Sequence, residues 1–75
     1  MNQERVSVEI RQDSVAWILV TSQSQADEFI ESWKRADGDK LLEISGVYDH
    51  RDANNVRYVL EKDAITGVMV QEIKL

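Results

Sequence analysis

The sequence predicts an α+β fold, ordered ββαβββ, in which a five-stranded, mainly antiparallel twisted sheet carries one helix across one face. Three observations predict it. "RVSVEIR" alternates apolar and polar residues with a period of two, the mark of a half-buried strand. "SQADEFIESWKRADG" places Ala26, Phe29, Ile30 and Trp33 at helical spacing. After that segment come three more strand-like runs and no second amphipathic helix. One helix beside five strands fits a layer of helix on sheet.

The elements follow in order. In residues 5–11, Val6, Val8 and Ile10 point one way and Arg5, Ser7, Glu9 and Arg11 the other. "QDS" supplies turn chemistry. Residues 15–21, "VAWILVT", are apolar on both faces. Val15, Trp17 and Leu19 lie on one side, and Ala16, Ile18 and Val20 on the other. Such a strand is expected in the sheet interior, covered on both sides.

The helix begins with Ser24 as cap and Asp27 three residues on, or with Ser22 and Gln25 as the alternative. Acids lie early and Lys34 and Arg35 late, as the helix dipole favours. Gly38 is expected to stop it in the left-handed conformation. In "KLLEISGVYD", Leu42 and Ile44 share one face and Leu41, Glu43, Ser45 and Val47 the other; Gly46 marks a bulge or a close backbone approach. "NNVRYVLEK" forms a strand with Val56, Tyr58 and Leu60 on one face. "DAITG" reads as one helical turn or a tight turn, capped by Asp63 and ended by Gly67, and "VMVQEIKL" is the last strand.

At 75 residues the chain is expected to form a single small α+β domain over residues 1–75. A core of this size supplies roughly 3–5 kcal/mol, so small domains usually add a staple. There is no cysteine, which excludes disulfides and thiolate metal sites. With one histidine, a metal site would need mostly carboxylates, and none is assigned; nor is any cofactor. Self-association is the expected staple.

The helix can shelter only one face of the sheet, yet Leu41, Val47, Val59, Met69 and Ile73 add apolar surface to the other. Either the sheet curls into a partial barrel or that face meets another molecule. The expected partner surface comprises Trp17, Leu41, Val47, Val59 and Met69, with Trp17 as an aromatic anchor.

Fourteen acids against nine bases give a net charge of −5, which disfavours binding to a phosphate backbone. No apolar run reaches the roughly 20 residues that span a bilayer, and "MNQERVSVEI" lacks a signal pattern, so a cytoplasmic protein is expected. The cluster "YDHRDANN" places Asp49, His50 and Asp52 side by side, but neighbours in an extended stretch point apart. It reads as a polar hairpin connection. No catalytic residue is assigned: no serine sits in an elbow motif, and the glycines at 38, 46 and 67 are isolated.

The expectation is therefore a small acidic, non-catalytic protein–protein interaction module, an accessory, regulatory or inhibitor protein, acting as a homodimer. The alternative is a nucleic-acid-associated domain, or an acidic mimic that blocks a nucleic-acid-binding protein through Asp27, Glu28, Glu31, Asp37 and Asp39.

Overall fold

A computed structural model describes residues 5–35, 37–38, 40–48 and 55–73. Alternation in the sequence becomes β1 (Arg5–Gln12), and the both-sided apolar run becomes β2 (Val15–Ser22). Then follow α1 (Gln23–Lys34), β3 (Leu41–Val47), β4 (Asn55–Glu61), a single 3₁₀ turn (Lys62–Ala64) and β5 (Gly67–Glu72). The strands form one antiparallel sheet in the order β4-β3-β2-β1-β5. Its two edges, β4 and β5, do not pair with each other, so the sheet is not closed into a barrel.

Register decides which residues share a face. Antiparallel partners project to the same side. Val6, Val8 and Ile10 pair with Thr21, Leu19 and Trp17 on β2, and Val8 and Ile10 with Val70 and Val68 on β5. Leu42 and Ile44 pair with Leu60 and Tyr58. This side takes the helix, through buried Ala26 and Phe29. Ile65, just past the 3₁₀ turn, completes the core. Trp33, read as part of the central stripe, lies half-buried at the core's margin, and Phe29 holds the central place.

The β1–β2 hairpin closes through Asp13 and Ser14, with Asp13 at φ 52°, a left-handed conformation that aspartate tolerates. The two hairpins β1–β2 and β3–β4 meet where Val20 pairs with Val47, and the Thr21 hydroxyl, the one buried polar side chain among the described residues, donates to the Ser45 carbonyl at 2.7 Å. Gly46 sits at this join. A Cβ there would fall on the Val20 carbonyl oxygen and come within 3.0 Å of Leu19 Cδ1. The expected close backbone approach is therefore real.

Three local expectations are corrected. Ser22, not Ser24, caps the helix: its hydroxyl accepts from the Gln25 N–H at 3.3 Å. The helix ends at Lys34 and the chain leaves through an extended Arg35. Gly38 has no positive φ, and the Lys62 ammonium donates to the Arg35 carbonyl where a left-handed glycine cap would otherwise serve the helix end. The turn after β4 lacks a side-chain cap from Asp63, and Gly67 opens β5 instead of closing the turn. That turn is tied down at its far side, where the Thr66 N–H donates to the Arg11 carbonyl at 2.8 Å.

Candidate interaction surface

Strand β2 is not covered on both sides along its length. Leu19 and Val20 are buried, but Val15, Ala16, Trp17 and Ile18 are exposed. The reason lies in where the helix rests. It packs chiefly on β3 and less on β1 and β2, so Val15 and Trp17, on its own side, project past its cover, while Ala16 and Ile18 lie on the helix-free face. Apolar composition alone cannot report how far along a strand the opposing layer extends.

The expected surface residues divide between the two sides of the sheet. Leu41, Val47, Val59 and Met69 lie on the side away from the helix, by their pairing with Glu61, Val20, Glu43 and Glu9. Leu41, Val59 and Met69 are 58%, 48% and 47% exposed, and Val47 is half-buried against Val20. Trp17 lies on the other side, opposite Ile10, and remains 37% exposed because the helix stops short of it. The structure therefore separates Trp17 from the other four.

A residue not among those five takes its place. Ile18 is 49% exposed on the helix-free face and shares a row with Glu9 and Met69 across β2, β1 and β5. Its signal was in the sequence: if Trp17 points toward the helix, strict alternation sends Ile18 the other way. The face is mixed, since Glu9 pairs with Arg11 at 3.1 Å and Arg57 with Glu43 at 3.0 Å among the apolar side chains. Such mixing suits an interface that must also face water, because non-obligate interfaces are about as apolar as ordinary surface.

Trp17 belongs to an aromatic group of its own. Its ring centroid lies 5.5 Å from that of Tyr58 at 51°, and Tyr58 lies 6.5 Å from Tyr48 at 66°. The Trp17 indole N–H donates to Gln12 Oε1 at 2.9 Å, and the Tyr58 hydroxyl donates to the Ile18 carbonyl at 3.2 Å. Burial pushes the Tyr58 phenol above its ordinary 10.0, and the neighbouring Tyr48 adds to the rise through its charge and a hydrogen bond.

Asp49, His50 and Asp52 lie outside the described residues. Among the described residues, no three His, Cys, Asp or Glu side chains converge as metal ligands, and no helix is long and apolar enough to cross a membrane. Comparison with known proteins finds no family model, no curated protein and no solved structure that matches the chain.

Proposed function

We propose that the protein is a small non-catalytic interaction module that pairs with a second copy of itself through the helix-free face of its sheet. One observation carries the reading: a single helix covers one side, while Ile18, Leu41, Val59 and Met69 stand about half-exposed on the other. Burying a large apolar side chain fully is worth about 1.5–3 kcal/mol before ordering costs. Four such residues across a two-fold axis count twice, which favours a symmetric pair. The polar residues between them, Glu9, Arg11, Glu43 and Arg57, give that face opposite charges for a second copy to meet.

The test is sedimentation velocity over a wide concentration range. The protein is expected to self-associate, and Ile18→Lys and Met69→Lys are expected to leave a folded monomer, since both side chains already contact water. A strict monomer at millimolar concentration, or variants that associate like the parent chain, would refute the reading.

A further inference from the structure

Strand β3 lies inside the sheet, yet its first half has a neighbour on one side only. The Lys62 N–H donates to the Lys40 carbonyl at 2.8 Å, so residues 40 and 62 are a hydrogen-bonded pair in the β3–β4 register. By alternation, Leu42 and Ile44 exchange bonds with β4, while the N–H and C=O groups of Leu41, Glu43 and Ser45 point the other way. Toward the end of β3 that side is occupied. Val47 pairs with Val20, and the Ser45 carbonyl accepts from the Thr21 hydroxyl. Farther back it is open, because the chain after Ser22 turns into α1 instead of extending β2. Among the described residues, no hydrogen bond reaches the outward groups of Leu41 and Glu43. A groove of about 300 Å³ runs along this stretch. Leu41 and Glu43 line one side and Glu28 and Ser32 of α1 the other, with Phe29 and Leu42 also in the lining.

We propose that this groove takes an extended segment of another protein as a short added strand, antiparallel to β3, with a basic residue opposite Glu43 followed by an apolar residue opposite Leu42. The backbone sets the class of occupant. Two N–H and two C=O groups at strand spacing are met together by another extended backbone, and strand addition at an open edge is a recurring mode of peptide capture. An antiparallel segment continues the line of β2, and its residues opposite Glu43 and Leu41 exchange two hydrogen bonds each. The residue between them projects to the helix side, as Leu42 does, where Phe29 lines the same space. Charge sets the sign of the neighbouring residue. Glu28 and Glu43 outnumber Arg35, the one base of the lining, and the whole chain carries −5. Arg57 meets Glu43 through Oε1 at 3.0 Å, an exposed pair that leaves Oε2 to a base on the segment. The groove lies between the helix and the side of β3, so its use does not depend on self-association through the helix-free face.

The test is a titration of the isotopically labelled chain with a blocked peptide that alternates threonine and valine around a central lysine–valine–isoleucine. Saturable shifts are expected at the Leu41 and Glu43 amides and along Glu28 to Ser32, and hydrogen exchange at those two amides is expected to slow. N-methylation of the peptide lysine or isoleucine, whose N–H groups face β3, is expected to weaken binding about tenfold or more. N-methylation of the valine between them, whose N–H faces away, is expected to leave it near the parent value. Glu28→Gln is expected to weaken the lysine peptide about two- to fivefold and to leave a glutamine analogue unchanged. Glu72→Gln, which removes an equal charge from β5 at the far edge of the sheet, is expected to change nothing. No saturable shift up to about 5 mM peptide, equal loss from all three N-methyl groups, or shifts confined to Ile18, Val59 and Met69 would each overturn the proposal. Exchange at Leu41 and Glu43 that slows with the chain's own concentration, without peptide, would give the groove to a second copy and overturn it as well.

Discussion

The join between the two hairpins gives the sharpest test of the fold. Gly46→Ala adds one methyl group where the Val20 carbonyl oxygen and Leu19 Cδ1 already stand. The obstacle is backbone of a central strand, so it cannot swing aside as a side-chain tip would. Overpacking of this kind costs about 1–3 kcal/mol. The general gain of about 0.4–1 kcal/mol from replacing glycine, which comes from the unfolded chain, offsets part of it. The backbone obstacle puts the cost in the upper part of that range, about 2–3 kcal/mol, so the net loss is about 1–2.6 kcal/mol. For a domain of this size each kcal/mol moves the melting temperature by roughly 4–8 °C, so a fall of roughly 4–20 °C is expected. Gly67→Ala is the matched control. Nothing lies within 4 Å of its added Cβ and its φ is not positive, so only the gain remains, a rise of roughly 2–8 °C. Thermal unfolding followed by far-ultraviolet circular dichroism measures both. If Gly46→Ala melts at or above the parent chain, or if the two variants move together, the close approach of β3 to β2 is not what glycine is there to permit.

Two further outcomes follow from named contacts. Ser22→Ala removes the helix cap and is expected to lower stability by about 0.5–2 kcal/mol in urea unfolding, while Ser24→Ala, already inside the first turn, is expected to stay near the parent value; equal losses would move the cap. Tyr58 holds its proton to higher pH folded than unfolded, so its contribution is complete below about pH 10 and is lost as pH rises through the raised folded value. Urea midpoints between about pH 9 and about pH 11 are expected to fall for the parent chain and to fall less for Tyr58→Phe; parallel curves would assign the alkaline loss to other groups.

Much of the fold was legible residue by residue. The alternation of Val6, Val8 and Ile10 requires one buried face, and Leu42 with Ile44 requires the same of β3, because side chains on a strand alternate strictly. The stripe of Ala26 and Phe29 located the helix's buried side. Gly46 stood out as a strand glycine, and the structure supplies the contact that explains it. The helix ends were less legible. Ser22 and Ser24 offer the same hydroxyl two residues apart, and Gly38 carried a cap signal that Lys62, distant in sequence, makes unnecessary.

The candidate surface was half legible. Leu41, Val59 and Met69 were placed correctly by period alone, whereas Trp17 was assigned to a face it does not share with them. The meeting of Trp17 with Tyr58 was invisible, since 41 positions separate the two rings and no local pattern links them.

By itself the sequence determined the element order, the face on which each strand residue falls relative to its neighbours, and the helix's apolar stripe. These are set by backbone periods that operate over a few residues. Only the tertiary structure decided the strand order, how far the helix reaches along β2, and which distant side chains meet. Those depend on register and on the packing of layers against each other, which bring together residues that no local period relates.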